Sequence, residues 1–247
     1  MLKIFITGVS SGLGRELTKQ YVASGHEVWG IARRQAELYT LSEELGKDNF
    51  LFSVCDISSP AQIDETKTEM ENNNFIPDIV ILNAGINPEA NKNSFSIDEI
   101  EETIQINYLG ALRCIEIFMP YFLERKKGQF AAISSLNAYR GDSRWIGYSA
   151  SKSALSKSFE SLRGRYTDQG ITFTTIHLGA VDTGMGANSS SPFKISPSKA
   201  ADSIIKTISR KKACKSIPII PRILIGLFRV FTDRMFSRMM NQYRDYK

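Results

Sequence analysis

The sequence predicts an α/β fold, a doubly wound parallel sheet with helices on both faces. Three observations predict it. Short apolar runs alternate with longer stretches of helical periodicity along the chain. The runs are apolar at consecutive positions, as strands buried on both faces are. A glycine-rich turn joins the first run to the first helix. No linker or internal repeat interrupts the pattern. Residues 1–221 therefore read as one domain, followed by a basic amphipathic helical segment at 222–247.

The elements follow in order. Residues 2–6 read as a buried strand. Residues 12–24 read as a helix, with Leu13, Leu17, Tyr21 and Val22 at helical spacing. Strands are expected at 27–32 and at 50–54, the latter leading to Asp56. Ser59-Pro60 starts a helix, with proline in its first turn. A fourth strand is expected at 78–82 and a fifth at 129–134, with a long helical stretch at 97–125 between them. Residues 148–168 read as helix, 171–177 as strand, 198–210 as helix and 217–220 as a last short strand. Right-handed crossovers wind such a sheet in both directions from its centre. Ligands then bind beyond the carboxyl ends of the strands, near the switch in strand order.

Composition excludes several classes. The chain has 247 residues, 42% hydrophobic and 23% charged, which argues against disorder, collagen and coiled coil. Cys55, Cys114 and Cys214 are widely separated, so a disulfide framework is not expected and a reducing compartment is. No metal-ligand spacing is present, and His26 and His177 read as structural histidines. No secretory signal and no spanning helix are expected, since no run reaches ~18 apolar residues. The net charge is +5, and residues 222–247 carry six basic against two acidic side chains, or +4 of it. The body is near neutral and is not a nucleic-acid surface.

Thr7-Gly8-Val9-Ser10-Ser11-Gly12-Leu13-Gly14 follows the first strand. Glycines there allow positive φ and let the backbone approach a ligand. The helix that follows aims free N–H groups and its positive dipole end at that place, which suits a diphosphate. The spacing is T-G-x-x-x-G-x-G. The second strand ends Gly30-Ile31-Ala32-Arg33-Arg34. Ala32 stands where an acidic residue would hold the ribose hydroxyls of NAD, and Arg33 follows it. A guanidinium binds phosphate oxygens bidentately, so NADP(H) is expected over NAD(H), with Arg33 on the 2′-phosphate. Arg34 reads equally well as a solvated charge.

Tyr148-Ser149-Ala150-Ser151-Lys152 places Tyr148 and Lys152 one helical turn apart on one face. An ammonium beside a phenol favours the phenolate and lowers its pKa. Such a tyrosine exchanges a proton with a carbonyl or alcohol oxygen. Ser134-Ser135 ends the fifth strand, and Ser135 lies 13 residues before Tyr148. Asn83-Ala84-Gly85 ends the fourth strand at the same edge of the sheet. Asn107 sits inside a helical stretch without a propensity reason.

Together with Asp56 and Leu178-Gly179-Ala180-Val181-Asp182-Thr183, these motifs resemble the short-chain dehydrogenase/reductase family, in its compact branch. The resemblance runs in order from residue 1 to about 220 and implies a Rossmann fold. It implies Tyr148 as general acid in reduction and base in oxidation. Lys152 would hold the nicotinamide ribose and depress the Tyr148 pKa. Ser135 would hydrogen-bond the substrate oxygen, and Asn107 would hold a water in the proton relay. Gly8, Gly12 and Gly14 would approach the diphosphate, with Ser10, Ser11 and Leu13 of the same turn also binding the cofactor, and Asp56 and Ile57 would contact the adenine. Asn83, Ala84 and Gly85 would shape the cleft, and Val181 and Thr183 would meet the carboxamide. It also implies a homodimer or homotetramer. Leu178 stands where the family usually has proline, which would loosen that turn.

The implied activity is reduction of a ketone or aldehyde by NADPH. Leu136, Asn137, Tyr139, Trp145 and Met185 are expected pocket walls, suited to a fairly hydrophobic substrate. The Gly- and Ser-rich stretch 184–192 is expected to act as a mobile lid. Leu224, Phe228, Phe231, Met235 and Met239 form an apolar stripe beside Arg222, Arg229, Arg234, Arg238 and Arg244. Such a helix packs on its own core, on a partner subunit, or on an anionic membrane surface, where a lipid-like ketone becomes a natural substrate. The expected location is cytoplasmic, with peripheral contact at the inner membrane face as the further reading. A sugar-nucleotide epimerase needs a different glycine spacing and a longer chain. A non-enzymatic NADP sensor needs no Ser135, Tyr148 and Lys152 together.

Overall fold

The computed structural model describes residues 1–46, 49–88, 95–142, 144–186 and 191–228, with side chains to 223 in the last stretch. The strands are β1 (Lys3–Thr7), β2 (Glu27–Ala32), β3 (Phe50–Val54), β4 (Ile79–Leu82), β5 (Gly128–Ser135), β6 (Ile171–Leu178) and β7 (Cys214–Ile217). The helices are α1 (Gly12–Ala23), α2 (Gln35–Leu45), α3 (Pro60–Asn72), α4 (Ile97–Ile104), α5 (Gly110–Glu124), α6 (Ile146–Tyr166), α7 (Pro197–Ser209) and α8 (Ile219–Phe228).

All seven strands join one sheet in the order β3-β2-β1-β4-β5-β6-β7. Every neighbouring pair is parallel. The chain winds outward from β1 to β3, then returns beside β1 at β4 and winds the other way. The switch in order therefore lies between β1 and β4, and it is here that a doubly wound sheet opens a crevice.

The consecutive apolar residues of the strands explain the two cores. Ile4 and Ile6 face one way and pack with Leu17, Val28, Leu38, Ile81, Ile176 and Ile204. Phe5 faces the other way, with Phe118, Phe122, Phe130, Phe159 and Phe173. On that face Phe130 stacks on Phe173 with ring centroids 5.3 Å apart.

Helix starts follow their capping chemistry. Ser59 and Ser196 accept from the N–H groups of Gln62 and Lys199, each with proline in the first turn behind it. Ser96 does the same for Glu99, and Asp98 and Glu99 meet the positive end of α4. Ser11, the cap of α1, makes no such side-chain bond.

Two sequence expectations need correction, and one helix was not expected. Residues 97–125 are not one regular helix: a π-helical turn, Gln105–Leu109, separates α4 from α5. The last strand is Cys214–Ile217 rather than 217–220, because β7 takes its register from β6, with Thr175 opposite Cys214 and Leu178 opposite Ile217. Helix α2 carries no sequence expectation, yet it buries Leu38 and Leu41. Of the C-terminal segment, α8 reaches Phe228; Phe231, Met235 and Met239 and the arginines from Arg229 onward lie outside the described residues. Residues 187–190 of the expected lid also lie outside them, and 184–186 form a single 3-10 turn. Among the described residues no helix is long and apolar enough to cross a membrane.

Candidate active site

The carboxyl ends of β1 and β4 are tied by side chains. Thr7 Oγ1 accepts from the N–H groups of Asn83 (3.0 Å) and Ala84 (2.9 Å). Asn83 Nδ2 donates to the carbonyls of Thr7 (3.0 Å) and Gly8 (3.3 Å). The Gly8 N–H donates across to Ile31 O of β2 at 2.8 Å. Gly8 has φ +76°, where a side chain is strained, and a Cβ on Gly14 would overlap the Gly8 carbonyl. The turn is thus folded on itself at the start of α1, with no room for a side chain at Gly14.

Ser10 and Ser11 line that turn. Arg34 donates to Ser10 Oγ from Nε (3.2 Å) and from one terminal nitrogen (2.8 Å), and to Ser11 Oγ at 2.5 Å. Arg33 instead lies 3.7 Å from Asp56, both side chains partly exposed. Burial raises the Asp56 carboxyl, but the Ser58 hydrogen bonds and Arg33 outweigh it and hold the group below its usual range. Leu13 is partly buried against the core, and Ile57 is buried beside Gly110. Thr183 faces Gly12: a Cβ on that glycine would lie 3.2 Å from the threonine methyl. Val181 is buried, and its carbonyl accepts from the Thr183 N–H at 2.8 Å.

Asn107 is fully buried, at 0% exposure, in the π-helical turn. Its Oδ1 accepts from the Ile86 N–H at 2.7 Å. Its Nδ2 donates to Ile86 O (2.9 Å) and to Ser151 Oγ (3.1 Å). The asparagine stitches the segment after β4 to helix α6. A Cβ on Gly85 would lie 3.2 Å from Asn107 Oδ1 and 3.4 Å from Lys152 Nζ, so these three positions share one cleft.

Lys152 is 4% exposed, and its Nζ donates to Ile133 O at 2.8 Å. Nζ stands 5.9 Å from the Tyr148 ring centroid. Burial pushes the Lys152 ammonium down to about 8. Ser135 ends β5 and caps the 3-10 turn Leu136–Ala138, accepting from the Asn137 N–H at 3.2 Å. Burial raises the Tyr148 phenol, and its hydrogen bond with Ser135 opposes this in part. The expected depression of Tyr148 by Lys152 is absent in this arrangement, because Nζ is turned to a backbone carbonyl and burial dominates both groups.

The predicted catalytic residues Asn107, Ser135, Tyr148 and Lys152 therefore surround one place at the carboxyl edge. Ser151, which links Asn107 to the Tyr148 carbonyl through a 2.8 Å bond, was not singled out from sequence. A serine inside Tyr-x-x-x-Lys carries no distinguishing signal. Among the expected walls, Leu136 is buried, Trp145 meets Tyr148 edge-on at 6.3 Å, and Met185 is exposed. Tyr139 is engaged by His177, stacked at 4.3 Å. Leu178 is the last residue of β6. It keeps the N–H that proline lacks, extends the β6 ladder opposite Ser135, and is followed by a Gly179 N–H bond to Ile217 O at 2.9 Å.

The fold and this constellation define a Rossmann-type oxidoreductase acting on carbonyl or CH–OH groups. The family model described as short chain dehydrogenase matches residues 3–193, and the chain belongs to that family. It is 32% identical over 218 residues to a fatty acyl-CoA reductase of Acinetobacter baylyi, covering 83% of this chain and 72% of the relative. It is 30% identical to the NADPH-dependent pterin aldehyde reductase of Arabidopsis thaliana, over 73% of this chain and 75% of that one. A short-chain dehydrogenase from Sphingobium yanoikuyae, solved in complex with NADPH, shares the fold with a TM-score of 0.82 over 96% of each chain, at 18% identity. The residues present fit the NAD(P) that the family binds. The turn carries glycine at 8, 12 and 14, where backbone can approach a ligand, and the Ser11 side chain makes no cap bond to the start of α1.

Proposed function

We propose that this chain is an NADPH-dependent carbonyl reductase that reduces a ketone or aldehyde and, in reverse, oxidises the alcohol. The observation that carries this reading is the gathering of Ser135, Tyr148, Lys152 and Asn107 beside the glycine turn. Gly8, Ser10, Ser11, Gly12, Leu13 and Gly14 hold the dinucleotide diphosphate. Asp56 and Ile57 hold the adenine, Asn83, Ala84 and Gly85 line the cleft, and Val181 and Thr183 meet the carboxamide. Bound there, the dinucleotide supplies the hydride. Tyr148 gives its proton to the carbonyl oxygen as charge develops on it, and Ser135 donates a hydrogen bond to the same oxygen. Lys152 holds the ribose, and Asn107 positions a water in the relay that returns the proton.

NADP(H) is preferred over NAD(H) on two grounds. Ala32 ends β2 without a carboxylate to bind ribose hydroxyls. Arg33 and Arg34 stand beyond it, Arg34 already at Ser10 and Ser11, where a 2′-phosphate has a bidentate donor. The test is NADPH oxidation over a panel of ketones and aldehydes, with Tyr148→Phe as control. Turnover of one or more carbonyls, lost in the control, supports the reading; equal turnover in the control removes Tyr148 from its role.

A lipid-like substrate at a membrane surface is a second reading, favoured by α8. Ile219, Ile220 and Ile223 are 57%, 51% and 55% exposed there. They stand at the start of a segment whose charge is +4 over residues 222–247, Ile223 within it. Liposomes containing anionic lipid should co-sediment the full chain and not one ending at residue 221. Equal sedimentation removes this reading. The homodimer or homotetramer that the family resemblance implies is checked by light scattering.

A further inference from the structure

The catalytic groups account for the carbonyl end of a substrate. Two amide atoms beside them bear on what adjoins it. Asn87 Oδ1 and Asn137 Nδ2 are buried and have no hydrogen-bond partner among the described residues. Each residue as a whole is partly exposed, so it is the inward-turned end of each amide that is left unpaired. Buried polar atoms of a folded chain are paired almost without exception, and one that is not needs a reason.

Their places are related. Leu82 of β4 pairs with Ala132 of the neighbouring parallel strand β5. Asn87 and Asn137 each lie five residues beyond their member of that pair, on segments that leave the two strands at the same edge. Asn137 stands two residues past Ser135, and its N–H donates to Ser135 Oγ at 3.2 Å. Asn87 stands two residues past Gly85, the glycine that faces Asn107 and Lys152. The intervening Ile86 is held at both N–H and C=O by Asn107. Catalytic residues thus fix both backbones. An unpaired acceptor and an unpaired donor stand on the two segments that border the reacting carbonyl.

This donor and this acceptor are not bonded to each other. One small group satisfies both only if it accepts and donates, and an alcohol hydroxyl does. An alkyl group in the same position leaves both amides unpaired, which is how a hydrogen-bonding site rejects an analogue that lacks the hydroxyl.

We propose that Asn87 and Asn137 are specificity-determining residues for an α-hydroxy ketone or aldehyde, a substrate with a hydroxyl on the carbon next to its carbonyl. Asn137 Nδ2 donates to that hydroxyl and Asn87 Oδ1 accepts from it. The assignment rests on the reductase reading above and narrows its substrate class. Hydride from NADPH goes to the carbonyl carbon, and the Tyr148 proton goes to the carbonyl oxygen. The products are a 1,2-diol and NADP+, and the neighbouring hydroxyl is unchanged.

The test measures kcat/KM with NADPH for a 1-hydroxy-2-alkanone and for the 2-alkanone of the same length. Wild type should prefer the hydroxy ketone by ~tenfold or more. The preference should fall by ~fivefold or more in Asn137→Leu and likewise in Asn87→Leu. Each ratio is taken within one protein, so the intrinsic reactivity of the two ketones and any general loss of activity cancel between variants. Should a leucine variant not fold, the alanine variant carries the same ratio. No preference in wild type, or a preference that either variant keeps in full, would mean that the amides hold ordered water only, and the proposal fails while the reductase reading stands. If wild type reduces no carbonyl, the reductase reading fails, and urea midpoints decide the amides. Leucine in place of an unpaired buried amide should raise the midpoint, and an unchanged or lower midpoint in either variant overturns the assignment.

Discussion

Replacing Asn107 tests how the active site is held together. In Asn107→Ala three groups lose a partner: the N–H and C=O of Ile86 and the hydroxyl of Ser151. Ser151 keeps its bond to the Tyr148 carbonyl, so Ile86 bears most of the loss. A buried donor or acceptor left without a partner costs ~1–3 kcal/mol, and two of them set a range of roughly 2–6 kcal/mol. Ile86 is only partly buried, so water entering the space recovers part of this. The expected loss is therefore at the low end, about 2–3 kcal/mol. At ~2–4 °C per kcal/mol for a chain of this size, the melting temperature falls by roughly 4–12 °C. Asn107→Asp keeps the acceptor for the Ile86 N–H but turns an oxygen toward Ile86 O, so it should do no better. Urea unfolding followed by tryptophan fluorescence measures the change, and kcat/KM measures whether Lys152 and Gly85 keep their places. A stability change below about 0.5 kcal/mol, the range of an ordinary surface substitution, would refute the claim that Asn107 stitches the two segments together.

Further predictions follow from the same geometry. Arg33→Ala and Arg34→Ala should each reduce the NADPH-over-NADH preference by ~10–100-fold, the worth of a charged hydrogen bond, measured as the ratio of kcat/KM values; an unchanged ratio in both rejects the phosphate clamp. Gly14→Ala places a Cβ on the Gly8 carbonyl and should abolish NADPH binding in a fluorescence titration, and retained affinity would show that the turn tolerates a side chain. His177 is depressed to about 4 in the folded chain against about 6.5 unfolded, so its stability is full above 6.5 and is lost as pH falls from 6.5 toward 4. The amount is on the order of 3 kcal/mol, and His177→Gln should flatten the difference between urea midpoints at those two pH values. An equal slope in the variant places the acid sensitivity elsewhere. Phe130→Ala removes the ring stacked between Phe122 and Phe173 and should cost ~3–5 kcal/mol by urea unfolding.

The sequence made strands legible where apolar residues run consecutively, as in β1 and β4, because both faces of the sheet are covered. It misplaced β7 for the same reason in reverse. Cys214–Ile217 has one strongly apolar residue, whereas the isoleucines just beyond it are apolar and exposed. Pairing with β6 decides the register there, and no local pattern reports a partner 39 residues away, as Cys214 is from Thr175. Helix α2 went unseen because Leu38 and Leu41 make only a narrow stripe among polar neighbours. Asn107 was visible as a misfit in a helix. Its partners were not, since two of its three bonds go to the backbone of Ile86, and backbone groups carry no residue code.

The two burial-driven shifts in the cleft bear on the direction of the chemistry. A phenol raised by burial stays protonated across the neutral range, and the protonated form is the one that gives a proton to a carbonyl oxygen. Lys152, pushed down to about 8, remains mostly cationic at pH 7 yet loses its charge within reach of mildly alkaline solution. Oxidation of an alcohol needs the phenolate, which this environment disfavours until a cation is brought closer than the present 5.9 Å between Nζ and the ring. Reduction needs no such change. The resting electrostatics therefore support the reductive direction, and rates measured in both directions against pH test it. Oxidation should rise with pH as the phenolate fraction grows, and less steeply once Lys152 loses its charge near 8, while reduction is flat or falls; parallel profiles would show that burial does not set the proton inventory of the site.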